Sequence, residues 1–342
     1  MIDRLERYSR QMILPGWGRD GQERLAGRTA AVVGCGALGS HIAAHLARAG
    51  VGRLILADRD FVEWHNLRRQ ALYDEEDAAA GTPKAVAAAR RLRRLNSQIE
   101  IVEHVVDVNG DTVEALIQGA DVVLDGADNF EVRYLVNEAC VKHGIPWIYG
   151  GVLGTYGLTA AILPGETPCL RCLLGPLPPP GSVPTCETAG VLSPAVAVIA
   201  ALESTEALKI LLDRREALLR GLVMVDVWSG DFERAQTQRA KGACPVCDEG
   251  RYELLEAETG SVATLLCGRD AVQIRPRPAE ELDLAALAAR LAGVGELEVN
   301  DYLLRLELEG RQLTIFADGR AIVKGVDDAA QARALYARYV GS

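Results

Sequence analysis

Residues 28–58, "RTAAVVGCGALGSHIAAHLARAGVGRLILAD", limit the fold more than any other stretch of this chain. A short β-type run enters Gly34-x-Gly36-x-x-Gly39, an alanine-rich segment comes next, and a second apolar run closes on Asp58. Read as strand, helix over Ala37 to Ala49, and strand, this is a βαβ unit, whose two strands must lie parallel. The glycines permit a tight turn and let the backbone approach a phosphate, which then sits on the positive end of the helix beginning near Ala37. Asp58, nineteen residues after Gly39, is placed to accept hydrogen bonds from ribose hydroxyls. Any nucleotide with a ribose and phosphates meets these terms, so NAD and ATP both remain open.

The alternation continues through "PKAVAAARRLRRLN" (helix), "IEIVEHVV" (strand), "DTVEALIQ" (helix) and "DVVLDGAD" (strand). Such a pattern predicts an α/β fold with a doubly wound, mostly parallel sheet. From Pro146 the chain turns strand-like and glycine-broken, "PWIYGGVLGTYGLTAAIL", which predicts an antiparallel extension of that sheet. "GPLPPPGSVPT" (175–185) reads as a loop, and a helix is expected from about Pro194 to Leu212. "DEGRYELLEAETGS" (248–261) reads as a linker. Short strands and two helices make up the remainder, so a main domain over 1–248 and a small α+β C-terminal domain over 258–342 are expected.

A net charge of −10 and a pI near 5.2 argue against non-specific nucleic-acid binding, which needs a positive field. The run Arg90, Arg91, Arg93, Arg94 reads as a solvated helix face. The charged start "MIDRLERYSRQM" lacks the apolar core of a signal peptide, and "VLSPAVAVIAAL" is too short to span a bilayer, so a cytoplasmic protein with no membrane partner is expected.

Residues downstream of Asp58 decide between the two nucleotides. "EWHNLRRQAL" supplies Asn66, Arg68 and Arg69, and "GTPK" supplies Lys84 at a helix start. A pyrophosphate can be held largely by a helix N-terminus, whereas a triphosphate with its cation needs more fixed positive charge. Asp128, in "LDGADN", falls at the carboxyl end of a later strand, where open α/β sheets bind ligands and where a carboxylate suits Mg²⁺. Its other reading is a cap for the helix starting near Asn129. Together the set favours ATP.

Eight cysteines in a chain of this composition suggest metal or reactivity rather than disulfides. Cys169-x-x-Cys172 and Cys244-x-x-Cys247 can each aim two thiolates at one point, and the two pairs complete a tetrahedral Zn²⁺ shell with no open position for catalysis. Cys35 and Cys140 read as packing residues, and Cys267 as a strand residue of the C-terminal domain. Cys186 comes after the proline-rich loop and precedes a helix start, a setting that lowers a thiol's pKa.

"RYSRQMILPGWGRDGQERL", "GCGALGS", "NLRRQ", "GTPK", "DGADN" and "TCETAGVLSP" together resemble the ubiquitin-activating-enzyme superfamily in its bacterial form, the ThiF/MoeB/HesA-type adenylyltransferases. The resemblance covers roughly residues 5–248. It implies ATP-dependent adenylation of a small ubiquitin-like sulfur-carrier protein at its C-terminal Gly-Gly, in thiazole assembly or molybdopterin synthesis. Residue by residue it implies that Gly36 and Gly39 line the nucleotide loop and that Asp58 holds the ribose. Arg69 and Lys84 would contact phosphates, and Asp128 would serve magnesium and the reacting phosphate. Arg10 would reach into a neighbouring subunit's site, which implies a homodimer. Cys186 matches a cysteine that attacks the activated carrier in some members, and the zinc site is implied as well. The rival readings are an NAD-dependent oxidoreductase and a non-catalytic binding subunit. None of the five histidines falls in a recognisable proton-transfer motif, and a scaffold has no use for phosphate ligands.

Overall fold

Strand β1 (Thr29–Val33) is the axis of the first of two compact units. The computed structural model describes residues 5–179, 182–183, 189–237, 244–257, 263–266, 271–274, 282–308, 310–326 and 328–341. Residues 1–179 and 184–257 make the first unit, and the second is chiefly residues 258–342. In the first unit β2 (Arg53–Asp58) and β3 (Glu100–Val105) lie to one side of β1. On its other side lie β4 (Val122–Asp125), β5 (Trp147–Leu153), β6 (Tyr156–Ile162), β7 (Leu222–Asp226) and β8 (Asp231–Ala235). The order is β3-β2-β1-β4-β5-β6-β7-β8, parallel as far as β5 and antiparallel from β5 to β8. The expected parallel sheet with an antiparallel extension is therefore the observed one.

Ala30 to Val33 are buried, as a central parallel strand covered on both faces requires. Leu38, Ile42 and Leu46 of the Ala37–Ala49 helix, Ala85, Ala88 and Leu92 of the Lys84–Leu95 helix, and Val196, Ile199 and Ala207 of the Ser193–Leu211 helix cluster on one face. Val113 and Ile117 of one helix, and Tyr134, Leu135 and Ala139 of the Phe130–His143 helix, cluster with the other. Chain order reverses between β1 and β4, so a crevice opens at their carboxyl ends. The two loops there touch backbone to backbone. A Cβ on Gly34, which has φ +91°, would overlap the carbonyl of Gly126.

One alternative falls and one local expectation changes. The Phe130–His143 helix is capped by Asn129, whose side chain accepts from Val132 N–H at 2.9 Å, so Asp128 does not cap it. The stretch expected to be a linker is packed as far as Leu255: Leu254 and Leu255 donate their N–H groups to Glu138 Oε2 at 2.9 and 3.1 Å, and both side chains, half-buried, pack against the core. The arginine run is solvated and also ion-paired, Arg91 to Asp74 at 2.8 Å and Arg93 to Glu103 at 2.6 Å.

The second unit has a six-stranded antiparallel sheet. Its order is β11 (Glu296–Val299), β12 (Leu303–Leu308), β13 (Arg311–Phe316), β14 (Ala321–Lys324), β10 (Ala271–Ile274) and β9 (Ala263–Leu266). Two helices, Leu284–Leu291 and Ala329–Tyr339, pack on one face through Leu287, Leu291, Ala332 and Leu335. Asp283 and Asp328 cap them. This is the α+β arrangement expected of the tail. No helix among the described residues is long and apolar enough to cross a membrane.

One buried group in the first unit carries a pH dependence. Glu203, on the Ser193–Leu211 helix, is fully buried against Gly150 of β5, where any Cβ would overlap its carboxyl. Neither of its oxygens has a hydrogen-bond partner among the described residues. Burial, reinforced by Asp125 and opposed by Arg133, raises its pKa well above the ordinary value of 4.5. The folded state thus binds a proton that the unfolded chain releases above that value. Stability falls as pH rises from there, by about 1.4 kcal/mol per unit while Glu203 stays protonated. Glu203→Gln should remove that slope. Denaturation at pH 5 and pH 8 should show the variant gaining on wild type at the higher pH, and equal slopes would mean that Glu203 is not the titrating group.

Candidate active site and metal centre

The glycine turn is built by steric necessity. Gly36 stands at the N-cap position of the Ala37–Ala49 helix with φ −72° and ψ −141°, and a Cβ on Gly39 would overlap the Gly34 carbonyl. The N–H groups of Gly34 and Cys35 are taken by Ala57 O and Asp58 Oδ2, so the backbone donors open to the crevice are those of the helix start. Cys35, inside the turn, is 1% exposed, and burial raises its thiol pKa, which fits a packing role.

Asp58 ends β2 with 9% exposure, its Oδ2 accepting from Cys35 N–H at 2.6 Å and its Oδ1 from Asp60 N–H at 2.7 Å. Burial raises its carboxyl pKa, while Lys84 and the two N–H donors oppose the rise. Lys84 opens its helix at 5% exposure, and its Nζ is 3.1 Å from Asp60 Oδ2. Burial works against the Lys84 charge, but Asp60, Asp58 and Asp128 outweigh it and its pKa is raised. So Asp58 and Asp128, far apart in sequence, both act on Lys84 at the carboxyl end of the sheet. Asp60, between them, is marked by no motif. Its only signal in the sequence is its position two residues after Asp58.

Asp128 is exposed at the end of a loop fixed from below. Asp125, 2% exposed, accepts from Ala127 N–H at 2.9 Å and from Arg133 Nε at 3.1 Å. Arg133 also donates to Ala127 O at 2.8 Å, so the peptides on both sides of Ala127 are held. Burial pushes the Asp125 pKa up to about 6, against the pull of Arg133. Sequence patterns give no sign of this clamp, because its partners are eight residues apart on different elements.

The remaining candidates have varied surroundings. Asn66 is 1% exposed and serves its own turn, its Oδ1 accepting from Glu63 N–H at 2.9 Å. Arg69 donates to His65 O at 2.7 Å, and Arg68 to Val191 O at 3.0 Å. Arg10 is exposed on the short Ser9–Met12 helix, with no ion pair among the described residues. Cys186 and Cys267 lie outside the described residues.

Cys169, Cys172, Cys244 and Cys247 converge, with all four sulfurs within 4.8 Å of one another. Cys169 lies 3.8 Å from Cys172 and 3.6 Å from Cys244, and Cys172 lies 3.5 Å from Cys247. These distances exclude disulfides, whose S–S bond is about 2.05 Å. They match the roughly 3.8 Å edge that a tetrahedral shell with Zn–S bonds of about 2.3 Å must have. The donor set thus fits zinc.

The model of the ThiF family matches residues 8–246. The sulfur carrier protein ThiS adenylyltransferase of Bacillus subtilis is 44% identical over 338 residues, 98% of this chain and 99% of that protein. A sulfur carrier protein adenylyltransferase of Thermus thermophilus is 41% identical over 252 residues, 72% of this chain and 92% of its own length. Among solved structures, E. coli MccB with ATP superposes at a TM-score of 0.60 with 26% identity, covering 71% of this chain and 74% of that one.

If the four thiolates hold zinc, the purified protein should carry about one equivalent by elemental analysis. Cys172→Ser should then lose most of it and lower Tm by roughly 5 °C, as for a loss of about 2 kcal/mol in a domain of this size. Full zinc content in that variant would remove Cys172 from the shell.

Proposed function

The chain belongs to the ThiF family, and from that premise we infer that it is an adenylyltransferase acting on a small ubiquitin-like sulfur-carrier protein. The observation that carries the reading is the buried Lys84 ammonium, set among Asp58, Asp60 and Asp128 at the switch point of the sheet. A fixed cation there serves a triphosphate. Neither an NAD-dependent oxidoreductase nor a non-catalytic scaffold needs it. The names of the relatives support a carrier of the ThiS kind as the substrate, and the family resemblance gives it a Gly-Gly end.

In this reaction the carrier's terminal carboxylate oxygen attacks the α-phosphorus of ATP. The bond from that phosphorus to the bridging oxygen breaks, and pyrophosphate leaves with the electron pair. No protein nucleophile takes part, so the protein's share is position and charge. Gly34, Gly36 and Gly39 let the phosphates approach the helix N-terminus, and Asp58 accepts from the ribose. Arg69 and Lys84 neutralise the phosphates, which requires Lys84 to exchange Asp60 for phosphate oxygen. Asp128 would hold Mg²⁺, for which its exposed hard carboxylate oxygen is suited, and the ion would supply neutralisation of the departing pyrophosphate. Asn66 shapes the turn that carries Arg69. Arg10, exposed and without an ion pair among the described residues, completes the site of a second copy in a homodimer. Cys186 is reserved for a later step, capture of the activated acyl group. The enzyme so described works in the cytoplasm.

Pyrophosphate exchange with a Gly-Gly carrier tests the reading directly. Lys84→Ala and Asp128→Ala should each lose about 10²-fold or more, as removal of a preorganised charge stabiliser does elsewhere, with Tm nearly unchanged for the exposed Asp128. Exchange near the wild-type rate in both variants would end the site assignment.

Arg10 should act in trans. Homodimers of Arg10→Ala and of Asp128→Ala should both be inactive, while a heterodimer of the two should regain one intact site, because a two-fold interface pairs each arm with the other subunit's crevice. Isolated heterodimers that stay inactive would place Arg10 elsewhere.

A further inference from the structure

The Ser193–Leu211 helix has its charges on the inside. From Ser193 to Leu208 its only charged residues are Glu203 and Glu206, and both are buried. Its outer side is uncharged: Pro194, Val198, Ala201 and Thr205 are exposed, and Leu202 and Leu208 are half-buried. The Ala37–Ala49 helix is joined to it at His45, whose Nδ1 is 3.3 Å from Ser204 Oγ. Ala37, His41, Ala44 and His45, all half-buried, extend the uncharged face along that helix as far as Arg48. A helix bordering water carries its charges on the water side, so a face of this kind is built to be covered.

Arg10 identifies the cover. Tyr8 and Gln11, on either side of it, are tied to the carboxyl end of the Ala37–Ala49 helix. Asn96 Nδ2 donates to Tyr8 Oη at 2.8 Å and to Ala47 O at 2.7 Å, and Gln11 Nε2 donates to Ala49 O at 2.8 Å. The glycine turn lies at the other end of that helix, whose 13 residues span roughly 20 Å. An arginine side chain is too short to cross that distance, so Arg10 cannot serve the crevice of its own chain. A two-fold axis through the uncharged face, halfway along the helix, exchanges the two ends and lays the Arg10 of a second copy beside the glycine turn. Halfway is Ala43, flanked by His41 and His45.

Resting on the adenylation reading and on Arg10 in trans, we propose that a second copy docks on this face under proton control: protonation of His41 and His45 separates the copies and withdraws Arg10 from both crevices. Ser204 spends its hydroxyl proton on Ala200 O at 2.7 Å, so it accepts from His45 Nδ1–H, and His41 bonds to the Arg69 carbonyl. Burial holds both imidazoles below the ordinary pKa of 6.5, reinforced for His41 by His45 and for His45 by Arg48, while the carbonyls of Arg69 and Ala200 oppose it. The acids of the neighbouring elements are turned elsewhere. Glu203 lies against Gly150, and Glu206 takes Lys209 and the Leu219 N–H. Asp74, Asp77 and Glu103 pair with arginines of the Lys84–Leu95 helix. Arg68 and Arg69 are used on Val191 O and His65 O. A second copy adds the same two imidazoles across the axis, so a proton taken up there meets only cations and apolar surface. The assembled form thus binds fewer protons than the separate chains, and dissociation grows as pH falls below 6.5.

Sedimentation equilibrium of the whole chain at pH 8 and pH 5.5 tests this. The wild-type dimer dissociation constant should rise about ten-fold or more at the lower pH, as proton linkage requires. The double variant His41→Gln, His45→Gln keeps an amide donor at each position and loses the titrating group, so its constant should stay within about two-fold. His45→Gln alone, with a smaller rise than wild type, serves if the double variant does not fold. Ala201→Arg, on the exposed side of its helix, should be monomeric at pH 8 and lose pyrophosphate exchange with Arg10 intact. A wild-type dimer with one constant at both pH values, a double variant that dissociates as wild type does, or a dimeric Ala201→Arg would each overturn the proposal. A wild type that is monomeric throughout would overturn it together with Arg10 in trans. A proton-controlled dimer that gives no pyrophosphate exchange with Gly-Gly carriers would support the switch while refuting the adenylation reading.

Discussion

The carboxylate of Asp58 receives N–H groups from two different loops, Cys35 on one oxygen at 2.6 Å and Asp60 on the other at 2.7 Å. Hydrogen bonds to a charged group contribute about 1.5–3 kcal/mol each, and both of these lie in a buried place where they are not weakened by water. The glycine turn cannot move relative to the end of β2 without breaking one of them. Asp60, held by its own N–H, then receives Lys84 twice, backbone N–H to carbonyl at 2.8 Å and ammonium to carboxylate at 3.1 Å. Tyr73 closes the circuit by donating its hydroxyl to the carbonyls of Cys35 and Lys84. One acid therefore sets the spacing between the turn that would take phosphate and the cation that would neutralise it.

Such a cluster is stable only because its charges answer each other. A lone buried lysine would lose its proton, and a lone buried aspartate would gain one. Here Lys84 has three carboxylates around it, and its charge is favoured in spite of burial. Glu203, one helix away, shows the opposite case: Arg133 opposes the shift, but burial dominates and the proton stays. The contrast explains why an acid can be working machinery at one position and a neutral filler beneath a glycine at another.

Much of this is legible in the sequence, and the part that is not has a common cause. The strand–glycine–helix–strand unit, the Ala37–Ala49 helix, the antiparallel hairpin after Pro146 and the two Cys-x-x-Cys pairs are local patterns, each set by spacing within one continuous stretch of the chain. Lys84 and Asp128 are readable because each sits beside a signal of its own, a helix start and a strand end. Asp60, Arg133 and Glu203 carry no local signature. Their meaning comes from partners brought near by the sheet order, which pattern alone does not measure. The packing of residues 248–255 is hidden for a related reason: "DEGRYELLEA" is polar enough to read as a linker, yet Glu138, on a helix more than a hundred residues earlier, supplies the acceptor that orders it.

The cysteine cluster and the return of the chain at Gly190–Leu192 are best understood together. Cys169 and Cys244 meet across 75 residues, so a metal there would close a long loop whose ends would otherwise carry a large entropy cost. Within that loop the chain returns to the core at Gly190–Leu192. There Gly154 N–H donates to Gly190 O, Leu192 N–H donates to Gly154 O, and Arg68 donates to Val191 O. Arg68 stands next to Arg69, so the point where the chain returns is tied to the same turn that carries Arg69.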